Sequence, residues 1–149
     1  VQEGRLEITG GGESIPDNNL VSGEGLVRNL LCGRLWFEET LGATPTVANY
    51  DDAFGQTPQL PQIMRGAGIE YFLTQKLSWN QFNRPIYSTF DWEGIDGSRV
   101  LTHFPPADTY NAMTNVREVL FNVKNFKEHE RARESYLLFG FGDGGGGPP

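Results

Sequence analysis

Two periods of apolar residues alternate along the chain. Leu6-Glu7-Ile8-Thr9 switches between apolar and polar and runs into Gly10-Gly11-Gly12, which predicts a short strand ending in a loop. After Ile15-Pro16-Asp17-Asn18-Asn19, Ser22 stands just before apolar positions at Leu26, Val27, Leu30, Leu31, Leu35 and Trp36, a helical spacing capped by Ser22 and closed by Gly42. Residues 44–50 read as an extended segment, broken by Asp51-Asp52-Ala53-Phe54-Gly55, and a second helix fits 59–65 with Gly66 and Gly68 as its stop. Tyr71-Phe72-Leu73-Thr74 predicts a strand, followed by a polar loop that carries Lys76, Trp79 and Asn80. Residues 88–93 and 99–104 alternate around Asp96-Gly97, a hairpin signal. Thr114 is positioned to cap a third helix with Glu118 behind it, Val116, Val119, Leu120 and Val123 on its apolar side, and the charged run 127–134 as its solvated end or a loop. The continuous apolar run Tyr136-Leu137-Leu138-Phe139 predicts a strand buried on both faces that delivers the glycine-rich stretch around Asp143.

Strand then helix, repeated about three times and closed by a strand, is the pattern of an α/β layer with a mostly parallel sheet and flanking helices. Ligands of such layers bind at the carboxyl ends of the strands, and Asp52, Lys76 and Asp143 each follow a predicted strand. The 149 residues are enough for one core and too few for two. A net charge of −7, from 12 Lys and Arg against 19 Asp and Glu, repels polyphosphate and argues against nucleic acid or an anionic membrane as partner. Cys32 is the only cysteine, so no disulfide framework or cysteine-based zinc finger is expected and a reducing compartment is. The opening at Val1 and the close at Pro148-Pro149 after a glycine run read as an excerpt of a longer chain, with residues 1–149 as part of one domain truncated at both ends.

The simplest account of Asp51 and Asp52 is an Asx turn with a helix cap, and Asp143 between glycines reads equally as a turn residue. A strand-end carboxylate flanked only by glycine can also be approached by a bulky ligand such as a sugar ring. Two carboxylates facing one pocket are what a glycosidase needs. Gly140-x-Gly142-x-x-Gly145 matches a dinucleotide fingerprint by letter, but no helix or downstream acid follows it. His103 reads as a satisfied strand histidine and His129 as solvated. Trp79, Trp92, Tyr110 and Phe54 suit a core, although aromatics at strand ends also stack on sugars.

The segments Gln59-Leu60-Pro61-Gln62-Ile63-Met64-Arg65, Tyr71-Phe72-Leu73-Thr74-Gln75-Lys76-Leu77-Ser78-Trp79-Asn80, Trp92-Glu93-Gly94-Ile95-Asp96-Gly97-Ser98-Arg99 and Leu138-Phe139-Gly140-Phe141-Gly142-Asp143-Gly144-Gly145 closely resemble the catalytic domain of class II α-mannosidases, glycoside hydrolase family 38, in its cytosolic and fungal vacuolar branch. Ser22-Gly23-Glu24-x-Leu26-Val27-Arg28 matches too, so the resemblance spans nearly the whole chain.

The resemblance implies part of a (β/α) barrel-like domain and a zinc-dependent retaining glycosidase that releases terminal α-linked mannose from oligosaccharides. The family's nucleophile, also a zinc ligand, falls on Asp52, with Phe54 and Gly55 aligned behind it. Lys76 and Tyr110 fall on substrate contacts, Trp79 lies in the same segment as a further contact, and Asp143 falls at the position assigned as general acid/base. The remaining zinc ligands, a His-x-Asp pair and a further His, lie outside this chain. The expected setting is cytoplasmic or vacuolar, with no nucleic acid or membrane partner and homo-oligomerisation left open. Asn49 and Asp51 stand where the family motif has Trp and Pro, Ala53 where Thr is usual and Gln56 where Tyr is. The lost Trp removes a stacking wall, and Asp51 sets a like charge beside the nucleophile. A catalytically inactive mannose-binding paralogue is the alternative these departures raise.

Overall fold

The computed structural model describes Val1 and residues 3–142. Helix α1 spans Gly23–Leu41 and both its ends follow the sequence signals. The Ser22 side chain accepts from Gly25 N, and Gly42 takes the left-handed C-cap conformation (φ 62°) with its N–H on Glu38 O. Strand β1 (Val47–Tyr50), helix α2 (Leu60–Gly66), strand β2 (Tyr71–Thr74), a 3-10 turn over Lys76–Trp79, the hairpin strands β3 (Thr89–Glu93) and β4 (Arg99–His103), and helix α3 (Val116–Asn125) follow in order. The sheet runs β1-β2-β4-β3. β1, β2 and β4 are parallel, while β3 pairs with β4 antiparallel at one edge. The sheet is therefore mixed, because the Asp96-Gly97 hairpin forces β3 to run against its neighbour.

One face of the sheet is covered. Ala48, Tyr50, Phe72 and Val100 pack with Leu30 of α1 and Leu60 and Met64 of α2 into a single core. Gly33 is what lets α1 approach: a Cβ there would sit 2.5 Å from Gly12 C and 2.7 Å from Glu13 N. The opposite sheet face leaves Tyr71 and Leu101 45% and 42% exposed.

Three expectations are corrected. Residues 6–9 form no strand: Leu6 is exposed, and a backbone hydrogen bond to the sheet comes just after the segment, where Gly10 N donates to Val47 O at 2.8 Å. Residues 136–139 are not a strand buried on both faces; Tyr136 and Phe139 are exposed and a single parallel bridge ties Phe139 to Ala112. An apolar run forms a strand only where a neighbouring edge accepts it, and neither segment reaches one. Helix α3 is capped by Asn115, whose side chain accepts from Glu118 N at 3.0 Å, and not by Thr114, which lies at φ 55°. Its apolar side is also turned out. Val116, Val119, Leu120 and Val123 are exposed, and the polar side docks through Asn122 Nδ2 on Ser135 Oγ (2.7 Å) and Asn125 Nδ2 on Pro106 O (2.7 Å).

Candidate active site

Parallel register builds the site. Tyr50 lies opposite Thr74, so Asp52 and Lys76 each emerge two residues beyond the same rung, at the carboxyl edge of β1 and β2. Thr74 Oγ1 donates to Tyr50 O (2.8 Å) and accepts from Gln56 Nε2 (3.3 Å), tying the two strand ends together beneath them. Lys76 Nζ then reaches Asp52 Oδ1 at 3.0 Å, with the lysine side chain 5% exposed and the carboxylate 58% exposed.

Four of the five residues singled out from the sequence converge here. Lys76 Nζ lies 3.5 Å from the Trp79 ring centroid, 4.8 Å from that of Tyr110 and 5.4 Å from that of Phe54, and it donates to Tyr110 Oη at 3.4 Å. A desolvated ammonium against aromatic faces is held by their quadrupoles as well as by its carboxylate. Burial works against the Lys76 charge, but hydrogen bonds to Asp52 and Tyr110 outweigh it and hold its pKa above the usual lysine value. The ammonium thus stays charged at neutral pH. It fixes one oxygen of Asp52 and leaves the rest of that carboxylate open to solvent. Asp143 lies outside the described residues.

Asp51 behaves differently from its neighbour. Burial, with a smaller contribution from the Asp52 charge, raises its pKa above the usual carboxylate value, against a hydrogen bond from Asn49 that lowers it. Asp51 Oδ1 and Asn49 Oδ1 are both buried without a hydrogen-bond partner. His103 is a strand histidine in contact with Thr89 Oγ1 through Nδ1 (2.8 Å), and burial lowers its pKa.

Among the described residues no group of three His, Cys, Asp or Glu side chains comes together to hold a metal. Asp52 presents Oδ1 to an ammonium, so the residues described here do not by themselves fit a zinc ion.

Sequence reasoning did not single out two residues that the site depends on. Gln75, fully buried, donates from Nε2 to Asp108 O at 2.8 Å, and Trp79 Nε1 donates to the same oxygen at 2.9 Å. A buried glutamine directly before Lys76 was visible in the sequence as a polar residue closing an apolar strand. The backbone carbonyl of Asp108 has no signature in residue type.

The chain is similar to known proteins along its length. Residues 1–149 match the family described as Glycosyl hydrolases family 38 N-terminal domain. The chain is 52% identical to alpha-mannosidase G of Dictyostelium discoideum over 148 residues, covering 99% of this chain and 14% of that protein. It is 54% identical to alpha-mannosidase 2C1 of Homo sapiens over 132 residues, 89% of this chain and 13% of that protein. Against an alpha-mannosidase of Saccharomyces cerevisiae the identity is 43%, over 99% of this chain and 14% of that protein. The crystal structure of an alpha-mannosidase from Enterococcus faecalis V583 superposes with a TM-score of 0.62 at 25% identity, over 93% of this chain and 16% of that one. The chain thus spans about a seventh of the length of the curated relatives it matches. By sequence over its whole length and by the arrangement of its strands, the chain belongs to glycosyl hydrolase family 38, in the N-terminal domain.

Proposed function

We propose that these 149 residues are part of the catalytic domain of a longer α-mannosidase, a (β/α) barrel-like domain that releases terminal α-linked mannose from oligosaccharides with retention of configuration. The observation that carries this reading is the exposed Asp52 carboxylate held by the buried Lys76 ammonium at 3.0 Å, at the carboxyl edge of parallel strands and walled by Trp79, Tyr110 and Phe54. Asp52 attacks the anomeric carbon, forming a bond from its carboxylate oxygen as the glycosidic bond breaks. Asp143 donates its proton to the departing oxygen. Water then enters on the same face: Asp143 accepts its proton, and the oxygen displaces Asp52 and restores the carboxylate. Lys76 holds one oxygen of Asp52 before attack and meets the carboxylate again when it leaves. The open face of Trp79 offers a platform for the sugar's C–H face, with Tyr110 beside it.

Zinc, implied by the family resemblance, would need ligands from outside the described residues, with Asp52 as this chain's contribution. The cytoplasmic or vacuolar setting rests on the likeness to relatives of the cytosolic and fungal vacuolar branch, and the free, exposed thiol of Cys32 fits the reducing one of the two. No helix of the described residues is long and apolar enough to cross a membrane.

A second reading, a mannose-binding protein without turnover, is favoured by Asn49 and Asp51, which stand where the family motif around Asp52 has Trp and Pro. One experiment separates them. In the intact enzyme Asp52→Asn should lower kcat for an aryl α-mannoside by about 10³-fold or more, and a 2-fluoro mannosyl fluoride should label the wild-type Asp52 covalently. Mannose binding by the wild type without turnover or labelling supports the second reading.

A further inference from the structure

Asp108 is one of two non-glycine residues with positive φ among those described, at 55°. A left-handed aspartate is uncommon and mildly strained, and it persists only where surrounding contacts hold it. Its carboxylate, 25% exposed, has an ion pair from Oδ2 to Arg84 Nη1 at 3.8 Å and interacts with the side chains of Ser78, Asn125 and Lys127, contacts that Asp108→Gly removes together with the carboxylate. The conformation turns its carbonyl oxygen toward the turn over Lys76–Trp79. There it accepts two hydrogen bonds, from Gln75 Nε2 at 2.8 Å and from Trp79 Nε1 at 2.9 Å.

Both donors are tied further. Gln75 is fully buried and its Nε2 also donates to Ser78 Oγ at 2.9 Å, while Ser78 Oγ donates back to Gln75 O at 2.8 Å. Trp79 has a single donor, and all of it is spent on Asp108. The residues flanking Lys76 are therefore anchored to one oxygen, on the loop that presents Tyr110 two residues later. Freed of that bond, the Trp79 indole could rotate off the Lys76 ammonium, since the ring is more than half exposed.

We propose that Asp108 is a positioning residue whose left-handed backbone aims one carbonyl at Gln75 and Trp79, locking the Trp79 ring against Lys76 and presenting its open face to the sugar. The role belongs to the backbone and not to the carboxylate. It rests on the α-mannosidase reading only for its effect on turnover; the lock itself is a structural claim.

The test is a substitution series at one position in the intact enzyme labelled with 5-fluorotryptophan, the Trp79 resonance being identified by its loss in Trp79→Phe. Asp108→Val cannot adopt the conformation without strain, whereas Asp108→Gly adopts it freely. Asp108→Val should move or broaden the Trp79 fluorine resonance and raise KM for an aryl α-mannoside about tenfold, with a smaller change in kcat. Asp108→Gly should return both to near the wild-type values although it has lost the carboxylate. Should the valine variant fail to fold, Asp108→Ala applies a milder strain and should move the same resonance and the same KM less far. Equal effects of glycine and valine would assign the role to the side chain and overturn the proposal, as would a Trp79 resonance unmoved by valine or alanine. If the wild type shows no mannosidase turnover, the functional reading fails by itself. The fluorine comparison of valine or alanine with glycine then still decides the lock.

Discussion

A single negative charge has different meanings at Asp51 and at Asp52, although the two are adjacent. Asp52 faces a cation at 3.0 Å and is mostly exposed; Asp51 is half-buried, its Oδ1 has no partner, and its pKa is raised by burial. A raised carboxylate pKa means that the folded state disfavours the charge present at neutral pH. Asp51→Asn should therefore raise Tm at pH 7, cost little activity and show a gain that shrinks as pH falls toward the carboxylate range, where the wild-type proton returns. Equal losses of activity at Asp51→Asn and Asp52→Asn would reverse the assignment of the nucleophile. Lys76 gives the complementary prediction. Lys76→Met fills the same buried channel without the charge, and should lower kcat about 10²-fold with modest loss of stability. Lys76→Arg should rescue it only in part, because a longer, planar guanidinium meets Asp52 as a fork and not as the point charge that Nζ presents at 3.0 Å. Asp52, Lys76, Trp79 and Tyr110 were legible in the sequence because strand ends and a long family motif both point at them. Gln75 and Asp108 were not, because one acts through a buried amide and the other through a backbone angle.

Among the elements, local chemistry wrote the ends of α1 more clearly than tertiary pairing wrote the strands. Ser22 and Gly42 determine where α1 starts and stops through hydrogen bonds within a few residues, so they can be read directly. Residues 6–9 and 136–139 have strand-like patterns, but a strand exists only with a partner, and pattern alone cannot supply one. The third helix shows the same limit, since its periodicity identified a helix correctly while the face it buries is the polar one. Gly33 illustrates a sign reversal that only packing reveals. In an exposed helix Gly→Ala gains about 1 kcal/mol. Here the added methyl would meet Gly12 C, Glu13 N and Gly11 O at 2.5–2.7 Å, all backbone atoms that cannot rotate away. Gly33→Ala should instead destabilise by about 1–3 kcal/mol, and urea unfolding with an unchanged m-value would measure it. A stabilised Gly33→Ala would mean that α1 does not dock on the 11–13 loop.

Across the whole molecule, one sheet face is covered by α1 and α2, while the outer faces of α1 and α3 and the other sheet face leave large apolar side chains exposed. The core that does form has a titratable weak point. Tyr50 is 2% exposed at its centre, and burial pushes its pKa up to about 12. A folded-state pKa raised above the unfolded value of about 10 means the fold binds the proton more tightly, so this stability is fully present below pH 10 and is lost as pH rises toward 12. The loss is about 2–3 kcal/mol by that measure, and Tyr50→Phe should remove that part of the alkaline dependence in a pH series of thermal melts.

On the proposed reading, the four residues that converge are the nucleophile's side of a reaction that needs two sides. Asp52 can attack and Lys76 can hold it, but among the described residues no three metal-ligating side chains come together. A single exposed carboxylate paired to an ammonium binds a divalent ion weakly. The 149-residue chain by itself should therefore show no hydrolysis of 4-nitrophenyl α-mannoside above the buffer rate, with or without added zinc, while circular dichroism shows the helices and sheet formed. Turnover by that chain would mean that Asp143 and the residues around Asp52 complete the site without help, and that the ligands sought outside it are not needed for the chemistry.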